Sequence, residues 1–209
     1  MDSAAVQHAV CDLFVSVQGE AGWSGRAMFF IRFFGCPLRC LWCDEPRHRD
    51  PEFLRLLTTA EIVAMRRELA PAIPHVLLTG GEPLLAPGLI GLVADLKAEG
   101  LWVAMETSGV GGEPPSGVDW ITLSPKTLLP ESWYARADEV KYVVGGEPDP
   151  ALIEEIHHRA ARHPRVWVQP CARGGVPDPE AVALCYRLVL QAGDRLRLSL
   201  QTHKWIGVP

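Results

Sequence analysis

The sequence has no basic run, no apolar stretch near the length of a membrane span, and no basic segment followed by an apolar one at its start. Without a basic run, and with a net charge of -5, a nucleic-acid groove is not expected. Crossing a bilayer takes about 20 apolar residues in a helix, so no membrane-spanning helix is expected either. The opening Met1-Asp2-Ser3-Ala4-Ala5 carries no secretory signal pattern. Six cysteines could pair as disulfides in a secreted chain, but three of them crowd together while Cys11, Cys171 and Cys185 are scattered. This usage fits a reduced, cytoplasmic protein in which the scattered three are buried small apolar residues. At 209 residues the chain reads as a single domain spanning 1–209. A chain of this size buries roughly 70% of its surface.

The crowded cysteines lie in Cys36-Pro37-Leu38-Arg39-Cys40-Leu41-Trp42-Cys43-Asp44, spaced C-x3-C-x2-C. Three thiolates from one tight loop can converge on one inorganic centre. A structural zinc closes all four positions with Cys or His, and His48 is the one nearby residue that could complete such a site. A [4Fe-4S] cluster is usually held by four cysteines, so three leave one iron open to another ligand. The competing readings are a zinc knuckle, a redox thiol pair and buried structural cysteines.

Along the chain, Leu13, Val15 and Val17 alternate as in a short strand, which runs into Gln18-Gly19-Glu20 and a glycine turn. Ala27–Phe34 is a dense apolar run, read as a buried strand interrupted by Arg32. An Arg there needs a partner, because an unpaired buried charge is costly; the reading is a structural ion pair or an anion-binding group. Thr58 or Thr59 caps a helix over 60–70. Strands are expected at 75–79, 101–106, 119–123, 139–144 and 165–169, with helices near 87–99, 149–162 and 178–192 and a last extended piece at 195–200. Alternating strands and helices predict an α/β fold with a mainly parallel sheet. The six strands from 27 to 169 suit a partial (incomplete) β/α barrel.

In such a barrel the loops after the strands open on one face. There the chain carries the cysteine loop, Thr79-Gly80-Gly81-Glu82, Glu106-Thr107-Ser108, Ser124-Pro125-Lys126 and Gln169. One polar strand end alone would be a turn or cap, but the succession suggests a shared site. Gly-Gly-Glu-Pro recurs at 80–83, 111–114 and 145–148. It makes a good strand-to-helix turn by itself, and only the first copy follows a core strand and Thr79.

The cysteine loop resembles the signature of the radical S-adenosylmethionine (SAM) enzymes, whose open iron takes the amino and carboxylate groups of SAM. Further stretches narrow the likeness: Val17-Gln18-Gly19-Glu20, Phe30-Ile31-Arg32-Phe33-Phe34-Gly35-Cys36, Thr79-Gly80-Gly81-Glu82-Pro83, Glu106-Thr107-Ser108-Gly109, Ser124-Pro125-Lys126, and the ending Leu198–Pro209 with Gln201-Thr202-His203-Lys204. Together they resemble the 7-carboxy-7-deazaguanine synthases (QueE family) from about residue 12 onward. The resemblance implies a barrel of the radical SAM type. It also implies conversion of 6-carboxy-5,6,7,8-tetrahydropterin to 7-carboxy-7-deazaguanine with loss of ammonia, on the path to queuosine and other 7-deazapurines. SAM would be cleaved to a 5′-deoxyadenosyl radical that takes and returns a hydrogen. Mg²⁺, a reductant protein such as flavodoxin or ferredoxin, and a homodimer are implied as well.

Residue by residue, the resemblance implies Cys36, Cys40 and Cys43 as cluster ligands. It implies Trp42, Cys43, Asp44, Gly81, Ser124, Pro125 and Lys126 at SAM, with Glu106, Ser108 and Gln169 added. For the pterin it implies Val17, Gln18, Gly19, Arg32, Thr79 and the carboxylate of Pro209, with Glu20 and His203 nearby. Arg32 would pair with the substrate carboxylate as a bidentate fork. Residues 1–26 would then be a substrate-contacting segment and 195–209 a tail closing the site. One departure stands out. The family commonly has Thr or Ser after the Cys-Asp pair as a hydroxyl for Mg²⁺, whereas this chain has Glu45, expected to bind the metal directly. The rival readings are another short radical SAM enzyme, such as a glycyl-radical activase, and a non-catalytic iron–sulfur or zinc module.

Overall fold

Strand β1 (Gln7–Val17) lies antiparallel to β2 (Ala27–Phe33), with Leu13 opposite Ile31 and Val17 opposite Ala27. The apolar density of β2 has a plain cause: Phe29, Ile31 and Phe33 point to one buried face while Met28 and Phe30 point to the other. The computed structural model describes residues 6–147 and 149–209. The opening pentapeptide, with the signal reading made on it, and Pro148 of the third Gly-Gly-Glu-Pro copy lie outside the described residues.

A short edge strand, β3 (Arg55–Thr58), pairs antiparallel with the start of β1. It leads into α1 (Thr59–Leu69). Thr58 accepts from Glu61 N–H while Glu61 accepts from Thr58 N–H, a reciprocal capping box that fixes where the helix begins. There follow β4 (His75–Gly80), α2 (Leu89–Ala98), β5 (Trp102–Thr107), β6 (Trp120–Leu123), α3 (Glu131–Arg136), β7 (Glu139–Val144), α4 (Pro150–Ala160) and β8 (Val166–Pro170). A small hairpin, β9 (Ala172–Arg173) with β10 (Val176–Pro177), precedes α5 (Pro179–Ala192), β11 (Arg197–Leu198) and α6 (Thr202–Ile206). Both α4 and α5 begin with Pro at the first turn behind an Asp cap, Asp149 or Asp178.

The nine-stranded sheet runs β11-β8-β7-β6-β5-β4-β2-β1-β3. Every neighbouring pair from β11 to β2 is parallel, so the six predicted core strands form one parallel array. Its ends, β11 and β3, are not paired with each other, and the barrel is therefore open. The convex face packs on the helices in two apolar clusters, one under α1 and α2 and one under α3, α4 and α5. The concave face holds a smaller cluster of Met28, Phe30, Leu77 and Ala104. Truncating fully buried Phe29 or Phe33 to Ala would cost about 3–5 kcal/mol. That scaffold fixes the strand ends on which the site is built.

Candidate active site

The C-terminal ends of the parallel strands surround a cavity of about 230 Å³. It is lined by every residue singled out from the sequence except Pro125, which lies between the lining residues Ser124 and Lys126. Parallel pairing explains the convergence: Arg32 sits beside Thr79 across β2 and β4, and Val143 beside Gln169 across β7 and β8.

The cysteine loop is tied at its base. Gly35 N–H donates to the carbonyl of His48 at 2.8 Å, Cys43 N–H to that of Cys40 at 3.2 Å, and Arg49 to that of Leu38 at 2.6 Å. The Gly-Gly-Glu turn packs directly beneath it. A Cβ added at Gly81 would lie 1.7 Å from the carbonyl oxygen of Gly35, so only glycine lets the two loops meet. Glu82 is 2% exposed and accepts from Thr107 Oγ1, Ser108 N–H and Ser108 Oγ, bracing the end of β5; burial raises its pKa. Its counterpart in the second copy, Glu113, is exposed and pairs with Arg136, so only the first copy belongs to the site.

Cys36, Cys40 and Cys43 are half-buried and line the cavity; Cys11, Cys171 and Cys185 are buried, and of these Cys171 also borders the cavity. Trp42 is 37% exposed at the rim and does not pack into the core. Lys126 donates to Ser124 Oγ at 2.6 Å, and burial, helped by the charge of Lys141, pulls its pKa down to about 8. Gln169 is buried and accepts from Ser199 Oγ at 2.7 Å, which leaves its amide N–H groups for other partners.

A chain of polar contacts crosses the cavity. Gln18 donates to Glu106 at 2.7 Å, Lys141 contacts Glu20 and lies 3.7 Å from Glu106, and Gln201 donates to Glu20 at 2.7 Å and to Asp44 at 2.5 Å. Lys204 closes it on Asp44 at 2.9 Å. Burial raises the pKa of Glu106; burial also opposes ionisation of Glu20, but Lys141 and Gln201 together hold it below the ordinary range. Burial also opposes ionisation of Asp44, yet Lys204 and Gln201 hold it down at about 2.

Arg32 and Glu45 meet at 3.3 Å. Glu45 is also gripped by Arg47, with Nε at 2.7 Å from one oxygen and a terminal nitrogen at 2.6 Å from the other. At the opposite wall a Cβ on Gly19 would fall 1.9 Å from His203 Nδ1, so His203 is half-buried against bare backbone and lines the cavity. Ser16 donates to the Pro209 carbonyl at 2.5 Å, bringing the end of the chain to the same wall.

A family model of the radical SAM superfamily matches residues 30–142. The 7-carboxy-7-deazaguanine synthase of Synechocystis is 34% identical over 97% of this chain and 94% of its own length. That of Bacteroides thetaiotaomicron is 37% identical over 94% and 96%. The chain belongs to the 7-carboxy-7-deazaguanine synthase family. The crystal structure of QueE from Escherichia coli superposes with a TM-score of 0.75 at 26% identity, covering 93% of this chain and 94% of that one.

As a member of the radical SAM superfamily, this 7-carboxy-7-deazaguanine synthase family chain uses a [4Fe-4S] cluster and SAM. The residues fit the cluster. Cys36, Cys40 and Cys43 come from one tied loop and line one cavity, three thiols for three of the irons. Mg²⁺ at Glu45 does not fit this arrangement. It demands a near-octahedral oxygen shell, and both Glu45 oxygens face guanidinium nitrogens.

The sequence reading passed over Lys141 and Arg49 as lining residues, and gave Glu82 and Gln201 only as parts of motifs and His48 only as a possible zinc ligand. Lys141 did leave a signal: in Glu139-Val140-Lys141 two charges alternate within an apolar strand, marking its inner face.

Proposed function

We propose that this protein converts 6-carboxy-5,6,7,8-tetrahydropterin to 7-carboxy-7-deazaguanine, releasing ammonia, in the biosynthesis of queuosine or another 7-deazapurine. The observation that carries the reading is one cavity in which the family's cysteine loop faces Arg32, Gln18, Thr79 and His203. The bound cluster and SAM supply a 5′-deoxyadenosyl radical. The protein's part is to orient and shield. Cys36, Cys40 and Cys43 hold the cluster. Trp42, Asp44, Gly81, Glu106, Ser108, Ser124, Pro125, Lys126 and Gln169 hold SAM, Lys126 by its charge and Glu106 by accepting from hydroxyls.

At the other end, Arg32 pairs with the pterin carboxylate in place of Glu45. Gln18 and Glu20 read the amide and amino edge, beside Val17, Gly19, Thr79, His203 and Pro209. Residues 1–26 form the substrate-contacting segment of a single domain and 195–209 its closing tail; the contacts of Gln201 with Glu20 and Asp44 support that division. A cytoplasmic homodimer reduced by a flavodoxin or ferredoxin is the proposed setting. Among the described residues no helix is long and apolar enough to cross a membrane.

Anaerobic enzyme, reduced and given SAM and 6-carboxytetrahydropterin, is expected to release the deazapurine. SAM cleavage without that product would point to a different short radical SAM enzyme, and no SAM cleavage to a binding module.

A further inference from the structure

His48 is 2% exposed, and its Nε2 lies 3.6 Å from the sulfur of Cys43. Its backbone carbonyl is the acceptor that closes the cysteine loop onto Gly35, so the ring has little freedom to move away. The other ring nitrogen, Nδ1, is buried without a well-formed hydrogen bond. These facts select a tautomer. A neutral imidazole carries one N–H. On Nδ1 it would leave the Nε2 lone pair facing the lone pairs of a cluster-bound thiolate. On Nε2 the N–H points at Cys43.

We propose that His48 donates an N–H···S hydrogen bond to Cys43 and so sets the reduction potential of the cluster, as a positioning and tuning residue. The inference rests on the cluster assignment made above. A donor aimed at a ligating thiolate offsets the charge that the cluster gains on reduction, and so favours the reduced form. The ring is not a fourth ligand, for a bond to iron would take the position that SAM needs. A donor to sulfur leaves that position open.

The test compares reconstituted wild type with His48→Phe and His48→Gln by EPR-monitored redox titration, with iron content measured alongside. His48→Phe is expected to disfavour reduction by about tenfold, a potential about 60 mV more negative for one electron. His48→Gln keeps an N–H donor and is expected to shift it less. An unchanged potential in fully loaded His48→Phe overturns the proposal. Wild type labelled with ¹⁵N-histidine tests it without a variant: pulsed EPR should show one weakly coupled nitrogen. A strong coupling, that of an imidazole bound to iron, or no coupling overturns it. Wild type that takes up no iron would sink the cluster assignment itself, a different result from a loaded cluster indifferent to His48.

Discussion

Lys141 and Glu20, 121 positions apart, meet in an ion pair in the cavity wall with side chains 5% and 12% exposed. The pair ties the inner face of β7 to the segment that follows β1. Glu106, 3.7 Å away, shares the same ammonium. Removing one partner of a buried pair strands the other charge and costs about 3–5 kcal/mol. Lys141→Met should therefore lower the unfolding free energy of the metal-free protein, read from urea titrations, by that order, and Lys141→Arg by clearly less. A midpoint unmoved by Lys141→Met would show the pair contributes nothing net.

Gly19 is one of the positions where the tail touches the amino-terminal segment. A methyl group there meets both the ring and the backbone nitrogen of His203, at 1.9 and 2.8 Å. Gly19→Ala should push the tail outward and raise the KM for the pterin by about tenfold, ~1.4 kcal/mol. Cleavage of SAM without product should persist. Measuring 5′-deoxyadenosine and deazapurine together separates the two effects.

Lys126, held at about 8 by burial, should give the SAM site an alkaline limb. The lysine is charged below that pH and neutral above it, so SAM affinity should fall as the pH rises through about 8. Lys126→Met should flatten that limb. Stability moves the other way: between about 8 and the ordinary 10.5 the unfolded chain binds the extra proton, so its unfolding free energy rises with pH. Calorimetric SAM titrations across that range check the first sign, and urea titrations the second.

Glu45 sits between two guanidinium groups, 3.3 Å from Arg32 and 2.6 Å from Arg47. Turnover should therefore show the same response to added Mg²⁺ in Glu45→Ala as in wild type. The variant should instead alter pterin binding, because Arg32 loses its resident carboxylate. A response to Mg²⁺ that disappears only in Glu45→Ala would put the ion on this side chain.

The parallel core was legible because several of its strands are apolar runs that stop at a polar residue, as at Leu78-Thr79, Met105-Glu106 and Leu123-Ser124. The helix starting at Thr59 was legible from its capping threonine. The edge strand Arg55–Thr58 was not, because four residues without alternation carry no period. Nor was α3, whose cap position is Pro130 with no side-chain bond. The lining of the cavity was legible through short motifs, down to Gln18 and Lys126. The partners that brace it were not. Glu82 finds Thr107 and Lys141 finds Glu20 only after the sheet has rolled up, and no local spacing encodes those meetings.

The bond from Gly35 to the carbonyl of His48 closes the cysteine loop through backbone groups alone, without calling on a metal ligand. Iron and sulfide arriving late would find a prepared socket and would not have to gather a floppy strap. Loading after purification should then be efficient, and protein made under iron starvation should be recoverable by simple anaerobic reconstitution.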